Sequence, residues 1–187
     1  MSESPTEHFE HAEHAEHVAG LGDPFLTKVS ITIALLAVLA ATVGSLETIE
    51  TSGVTVAKSE AVFAQNKATD AWNFFQAKSI RATLYQIGSE TAPAKKDDYL
   101  KEVARYRKEQ EDIQKDAREH ERKAEEFSHK GEHHEHRHHI LTVAATLLHI
   151  SIAIATISII MRGQRWPWYA SIGLGAAGLA TAAFAYI

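Results

Sequence analysis

The sequence predicts an all-α membrane protein with three transmembrane helices and a long antiparallel helical hairpin, similar to a coiled coil, between the first and the second. Three observations support this prediction. Three long stretches of the 187-residue chain contain no charged side chain, heptad-like apolar spacing runs through the charged region between the first two, and turn-forming residues divide that region into arms of similar length. The slightly polar mean hydropathy therefore averages over segments with different surroundings.

An acidic, histidine-rich tail, residues 1–25, precedes the first apolar stretch and is expected to be disordered or partly helical. It has six acidic residues and no lysine or arginine, and a Glu-His pair recurs at every third residue. On a helix this spacing rotates successive imidazoles by about 60°, so they do not converge on one metal ion. Metal binding and a pH response near the ordinary histidine pKa of about 6.5 both stay open for the tail. The histidines concerned are His8, His11, His14 and His17.

Transmembrane helices are predicted at the three apolar stretches, over 26–46, 140–161 and 166–187. The uncharged part of the first is 29–46, and Lys28 before it can reach the lipid headgroups. As a helix, a 22-residue stretch reaches about 33 Å, which crosses the roughly 30 Å hydrocarbon core of a bilayer. Helices buried inside a soluble protein are an alternative, which three such stretches in one short chain disfavour. A cleaved signal peptide is disfavoured because the segment before the first stretch is acidic, whereas signal peptides begin with a basic region.

The last two stretches are separated only by residues 162–165, which predicts an antiparallel helix pair. Small residues recur every four positions on the last helix, and such stripes let helix backbones approach closely in lipid. We therefore expect Gly173 and Ala177 to pack against a helix of this chain or of a neighbour. The pattern GxGxxG at 173–178 binds dinucleotides only after a strand in a βαβ unit, so here the glycines are interpreted as packing residues.

Residues 47–139 are predicted to form the hairpin, with its turn near 88–96, where glycine, serine and proline cluster. Apolar and small residues recur at alternating spacings of three and four along both arms, as they do in coiled coils. Whether each arm continues directly into its transmembrane helix stays open. The position that most favours an interruption is Gly53, because glycine and the β-branched residues that follow it are poor helix formers. The predicted seams are Ala57, Ala61, Ala64, Ala68, Ala71 and Phe75 on the first arm, and Val103, Tyr106, Gln110, Ile113, Ala117, His120, Ala124 and Phe127 on the second.

The densest aromatic cluster of the chain, Trp72, Phe74 and Phe75, lies on the first arm. Two helices have little room to bury that much ring surface. We therefore expect a second copy of the hairpin to cover it, and the protein to be a homo-oligomer.

The stretch Asn66-Lys-Ala-Thr-Asp-Ala-Trp-Asn-Phe-Phe-Gln-Ala-Lys-Ser-Ile-Arg81 resembles the core motif of an uncharacterised family of bacterial membrane proteins, the domain of unknown function numbered four-three-three-seven. Three further features are similar: a Glu/His tail, a charged helix that ends in Glu and His, and the turn Arg-Gly-Gln-Arg-Trp-Pro-Trp-Tyr before the last helix. Before the first stretch, Asp23-Pro-Phe-Leu-Thr stands where the family has a basic and aromatic entry. The resemblance implies a multi-pass protein of the bacterial inner membrane and implies no activity.

Histidines are the most conspicuous chemical groups, and six of the twelve crowd the end of the second arm. Imidazole and carboxylate together suit divalent transition metals such as zinc, nickel, cobalt and copper. On a helix His129 and His133 form an i,i+4 pair, as do His134 and His138, so these four are candidate metal ligands. Adventitious metal binding by a histidine tract and an interfacial role beside the bilayer are the alternatives.

His149 lies near the middle of the second apolar stretch. Ionisable residues inside a membrane are costly and are functional candidates for that reason. A neutral imidazole hydrogen-bonded to a serine or threonine of a neighbouring helix is the alternative.

The orientation follows from the positive-inside rule, which counts lysine and arginine in short loops. Lys28, Arg162 and Arg165 favour a cytoplasmic tail and hence a periplasmic hairpin. Basic residues of the hairpin near the membrane point the other way, but the rule weakens for loops longer than about 60 residues.

Taken together, the sequence predicts a membrane-anchored, oligomeric hairpin protein of unknown activity with a scaffold or interaction role. The alternative is a metal- or pH-responsive membrane protein, or a transport accessory, that uses the histidine clusters. No catalytic constellation, phosphate loop or HExxH motif is present, so we expect neither an enzyme nor a small-molecule substrate, and no cofactor apart from that metal. The absence of cysteine excludes disulfides and cysteine-based metal sites, and the net charge of −5 gives no indication of a nucleic-acid partner.

Overall fold

A computed structural model of the chain describes residues 24–161 and 164–187. The described residues form α-helices joined by short connections and contain no strand, so the all-α prediction is confirmed. The predictions for the tail histidines fall on residues 1–23, and the prediction for Arg162 falls on residues 162–163, so both lie outside the described residues.

Three α-helices and one short 3-10 helix make up this part of the chain: α1, Pro24–Thr91; a 3-10 turn, Pro93–Lys95; α2, Lys96–Ile160; and α3, Trp166–Phe184. Proline lies in the first turn of α1 and of α3, where its missing N–H costs no hydrogen bond. Asp97 and Asp98 lie in the first turn of α2, where acidic groups favour a helix N-terminus. The connection between α1 and α2 lies inside the segment 88–96 in which the turn was predicted.

Of the two alternatives for the first arm, the structure has the continuous one. No interruption occurs at Gly53, because α1 runs unbroken through this residue and through Val54, Thr55 and Val56. Helix propensity is a weak preference that packing overrides. Glycine at this position instead leaves room for the ring of His134.

The described chain divides into two compact units. The first, called the bundle, contains residues 24–53, 133–161 and 164–187; the second, called the hairpin, contains residues 54–132. The bundle therefore includes nearly two helical turns of α1 and of α2 beyond the predicted transmembrane limits at 46 and 140. These extra turns carry polar side chains that contact one another, which explains why they belong with the bundle.

The core of the bundle is formed by small and branched apolar side chains from all three helices. Gly175 and Gly178 allow α3 to approach closely, since a Cβ on Gly175 would lie 2.5 Å from Leu36 Cδ2 and one on Gly178 would lie 3.1 Å from the Ala144 carbonyl oxygen. Gly173 and Ala177 are exposed instead. No described helix of this chain covers them, so their predicted packing against a neighbour stays a prediction.

The hairpin is held together along the two predicted seams, whose members are all buried or half-buried. Ala68 and Ala117 are completely buried, and small residues at such positions let two helices lie close together. Near the turn Tyr85 stacks on Tyr106 with 5.7 Å between ring centroids and contacts Tyr99 at the same distance. These contacts join the arms of α1 and α2, as the predicted hairpin requires.

Two of the described helices, α1 and the segment Pro93–Ile160 that contains α2, are long and apolar enough to cross a membrane. The 19 residues of α3 are not among them. Their first turn is aromatic and contains proline, and their remainder is mostly alanine and glycine, which are less apolar than leucine or isoleucine.

Candidate functional site: a buried carboxylate in the bundle

Glu50 is a carboxylate buried in the bundle, with only 5% of its side chain exposed. It lies on α1, one turn after the end of the first apolar stretch. Burial of an ionised carboxylate is unfavourable unless hydrogen bonds and opposite charges compensate it. The neighbours of Glu50 are therefore the most informative polar groups in this unit.

Three side chains surround this carboxylate, and together with Glu50 we call them the Glu50 cluster. Nδ1 of His134 lies 2.6 Å from Oε2 of Glu50. The hydroxyl of Tyr186, which follows α3, donates to Oε1 at 3.2 Å, and a guanidinium nitrogen of Arg137 lies 3.9 Å from the same oxygen. Arg137 also lies over the Tyr186 ring, 5.2 Å from its centroid. Side chains from all three parts of the bundle thus meet at one carboxylate.

Gly53 explains how the His134 ring reaches Glu50. A Cβ on Gly53 would lie 2.7 Å from Nδ1 of His134 and 2.9 Å from two carbons of the ring. These distances are too short for a side chain at this position unless the His134 ring moves. The imidazole therefore occupies the space that a side chain would fill, and glycine is required by close approach rather than by backbone conformation.

A second polar layer lies beside the cluster, between the same two helices. Thr142 donates to Oε1 of Glu47 at 2.6 Å, and Nδ1 of His138 lies 3.8 Å from the same carboxylate oxygen. His138 Nδ1 also lies 3.2 Å from the Thr51 hydroxyl. Two carboxylates one turn apart on α1 therefore face two histidines one turn apart on α2.

The four histidines predicted as metal ligands have different surroundings. His134 and His138 face separate carboxylates, His133 is exposed, and His129 contacts Glu132 on its own helix at 3.3 Å. Within residues 24–161 and 164–187 no group of three or more His, Asp or Glu side chains is arranged to hold a metal ion. Metal binding by these histidines stays a prediction.

His149 is half-buried in the bundle, and its Nε2 atom is buried. It lies on α2 about four turns beyond His134, among apolar residues of the core such as Leu148 and Ile152. Its predicted role inside a membrane stays a prediction.

Residues 25–32 and the start of α3 are joined by aromatic contacts. The indole N–H of Trp168 donates to the Thr32 hydroxyl at 3.0 Å, and its ring meets Phe25 edge-on, with 5.9 Å between centroids. Arg165 lies over the Phe25 ring at 5.6 Å. The bundle is therefore fixed by specific side-chain contacts far along α1 from Glu50 as well as at Glu50.

The aromatic residues predicted to pack between copies divide into two groups. Trp72 donates its indole N–H to Glu121 at 2.8 Å and meets Phe75 edge-on at 5.5 Å, so both rings contribute to the hairpin itself. Phe74 is 53% exposed. The hairpin itself thus covers part of the ring surface of Trp72 and Phe75, which are half-buried, and Phe74 is the most exposed of the three.

Lys78 and Glu109 form an ion pair of 2.5 Å between the arms of the hairpin. Lys78 also lies 5.0 Å from the Phe74 ring centroid and 5.2 Å from that of Tyr106. The hydrogen bond from Lys78 lowers the pKa of Glu109, so the ionised form of Glu109 is favoured in the folded hairpin.

The Glu50 cluster was not predicted, although a signal for it exists. Glu47 and Glu50 are the first acids after a long uncharged stretch, and in an antiparallel hairpin they face the residues equally far beyond the turn, which include His134, Arg137 and His138. The position of the predicted turn is therefore enough to identify these neighbours. It does not show that Tyr186 completes the cluster or that Gly53 makes room for the ring.

Comparison with known proteins identifies one family. The family model described as Domain of unknown function (DUF4337) matches residues 25–187, which include both units and all members of the Glu50 cluster. No curated protein and no solved structure matches the chain. The resemblance carried by residues 66–81 is thereby confirmed, and the chain belongs to the DUF4337 family.

Proposed function

We propose that this protein is a membrane-anchored, oligomeric helical hairpin that serves as a scaffold or interaction element. The observation that carries the proposal is the difference between the two arms of the hairpin. Residues 54–91 contain 7 charged residues in 38 positions, whereas residues 96–132 contain 22 in 37. One arm is suited to water, and the other is suited to contact with a protein.

The exposed apolar side chains of the hairpin support this difference. Among the large apolar residues that are exposed in residues 54–132, the second arm contributes Leu100, at 39% exposure. The first arm contributes seven: Val56, Val62, Phe63, Phe74, Ile80, Leu84 and Ile87. Isolated apolar residues on a surface need no explanation, but a concentration on one helix indicates an interaction surface.

Membrane anchoring is supported by the two long apolar helices and by the outer surface of the bundle. Ile31, Leu35, Val38 and Val143 are each more than half exposed on that surface. Lipid chains would cover such side chains at no cost in free energy. We propose the bacterial inner membrane, with the tail in the cytoplasm and the hairpin in the periplasm.

Mass measurement of the full chain in a mild detergent tests the proposal. We expect the protein to stay in the membrane fraction after alkaline extraction and to give a mass of two or more chains. A soluble protein would contradict the anchor, and a monomer at all concentrations would contradict the oligomeric scaffold.

A pH-responsive membrane protein is a second candidate, and the contact between Glu50 and His134 favours it. Protonation of His134 converts a hydrogen bond of 2.6 Å into an ion pair with a buried carboxylate. The other ionisable groups that face this pair are Arg137 and Tyr186. Hydrogen exchange of bundle amides between pH 5 and 8 tests this candidate, and protection that does not change with pH would contradict it.

Metal response is the remaining version of this second candidate. Zinc titration of the full chain, by calorimetry in detergent, compares the wild type with a His129→Gln, His133→Gln variant, whose histidines lie outside the Glu50 cluster. Equal and weak affinities that a mild competitor removes would indicate adventitious binding.

A further inference from the structure

We propose that four residues near the end of the first hairpin arm, Ala77, Ile80, Leu84 and Ile87, form an interface between copies of this chain, with their helices parallel and in register. We call these residues the apolar strip. The inference rests on the proposed oligomeric function and names the surface that would produce the oligomer.

The spacing of the strip is that of a coiled-coil seam. Its residues follow one another at intervals of three, four and three, so they form one row along α1. Ile80 and Leu84 are each 62% exposed, and Ile87 is 51% exposed. A row of this kind is normally covered by another helix with the same repeat.

The strip is separate from the seam that holds the hairpin together. Ala82 and Ser89, at 7% and 3% exposure, lie on the face of α1 that packs against α2. In an ideal helix of 3.6 residues per turn the strip lies roughly opposite this face. The first arm therefore has two apolar faces, and only one of them is covered within the hairpin.

The side chains beside the strip favour a second copy as the occupant. Gln76, Thr83 and Gly88 are uncharged, and Arg81 is the one charged residue at the flanking heptad positions. In a parallel, in-register pair Arg81 faces Gln76 of the second copy, so no like charges meet. A strongly acidic or basic partner would find little complementary charge here.

Asp70 explains where the strip ends. It lies one heptad before Ala77, at the same position of the repeat, so an in-register pair would bring two aspartates together. The contact is therefore confined to residues 77–87. Leucine at the first position of the repeat and isoleucine at the fourth favour assemblies of more than two helices, so more than two copies are expected.

Membrane anchoring would make the α1 helices of neighbouring copies parallel and would raise the effective concentration of the copies. Copies with one topology in one membrane leave it in the same direction along α1. Two heptads are too short for a stable coiled coil in dilute solution, but confinement of the copies to one membrane raises their effective concentration. The interface is therefore expected in membranes and weakened by dilution in detergent.

Single-cysteine cross-linking tests the inference directly, because the natural chain has no cysteine. Ile80→Cys, Leu84→Cys and Ile87→Cys are each oxidised in membranes that contain the full chain. The matched control is Lys115→Cys, at a position whose side chain is 80% exposed on the charged arm. If the strip is the interface, we expect each strip variant to give about tenfold more of the disulfide-linked pair of chains than Lys115→Cys gives.

A charge in the strip should remove this product. On the Ile80→Cys background, Leu84→Glu is expected to lower the yield about tenfold, because like charges would be buried together. Thr83→Glu, beside the strip, is expected to change the yield much less. Circular dichroism of both variants verifies that the helices remain.

The outcomes separate this inference from the function on which it rests. Equal cross-linking at Lys115→Cys, or a product formed with a different protein, would overturn the strip as an interface between copies. An oligomeric mass without cross-linking at the strip would also overturn it and would leave the proposed scaffold standing. A monomer in membranes would overturn both.

Discussion

The bundle and the hairpin use polar side chains in opposite ways. In the bundle a few polar groups converge on one carboxylate that is 5% exposed. In the hairpin many charged groups pair along the surface, for example Lys123 with Glu119 and Lys130 with Glu126, at i,i+4 spacing on α2. Exposed pairs of this kind contribute little individually because water and salt screen them. The number of ion pairs in a region is thus a poor guide to how strongly polar contacts determine its structure.

Removal of the imidazole of the Glu50 cluster should have the largest effect. His134→Ala leaves the Glu50 carboxylate buried with only Arg137 and Tyr186, and we expect the bundle to lose about 2 to 3 kcal/mol of stability. Thermal unfolding in detergent measures the loss. The control is His133→Ala, which removes the exposed neighbouring histidine. Equal effects of the two substitutions would show that the contact of His134 with Glu50 adds no stability.

A side chain at Gly53 should have the next largest effect. Gly53→Ala places a Cβ 2.7 Å from His134 Nδ1, and displacement of the ring should cost about 1 to 2 kcal/mol in spite of the better helix propensity of alanine. Gly44→Ala is the matched control on α1, since its Cβ would meet no atom within 4 Å. That control should be neutral or stabilising. A similar penalty at both glycines would contradict the role assigned to Gly53.

Gly53→Ala combined with His134→Ala tests whether the two side chains compete for the same space. In a His134→Ala background the obstacle to a side chain at 53 is gone, so Gly53→Ala should no longer destabilise. A double-mutant cycle measures this coupling. Independent, additive effects would show that Gly53 and His134 do not share the same space.

A smaller effect is expected in the hairpin from loss of one hydrogen bond. Trp72→Phe retains a ring against Phe75 but removes the donor that contacts Glu121 at 2.8 Å, and we expect a loss of about 1 kcal/mol. Hydrogen exchange of hairpin peptides measures it. Glu125→Gln, an exposed change on the second arm one turn after Glu121, should leave the exchange unchanged.

The smallest effect is the pH dependence that Lys78 gives the hairpin. Because the hydrogen bond from Lys78 lowers the pKa of Glu109, the stabilisation is present above the ordinary glutamate pKa, about 4.3, and is lost as the pH falls through the lowered value. Lys78→Met should flatten the pH dependence of hairpin unfolding below that pH. Lys115→Met, on an exposed part of α2, should leave the slope unchanged.

Spacing along one helix, and through the turn the positions of α1 and α2 that face each other, could be predicted from the sequence. The contacts of α3 and the space that the His134 ring needs could not. The alternation of three and four located the buried faces at Ala68 and Ala117 because that alternation is a local property of each arm. Gly53 was misjudged because its propensity is local and the His134 ring that requires it lies 81 positions away in the chain. Glu50 and Tyr186 are 136 positions apart, and nothing in either segment specifies how α3 is placed beside α1.

Amide exchange near Gly53 can be used to measure whether the Glu50 cluster is formed. Glycine inside a helix costs about 1 kcal/mol relative to alanine because it frees more backbone conformations on unfolding. While the imidazole lies against it, the surrounding contacts hold α1 continuous through this residue. If the ring left, we would expect the amides around residue 53 to exchange faster with solvent, so their exchange would report the state of a contact made by a different helix.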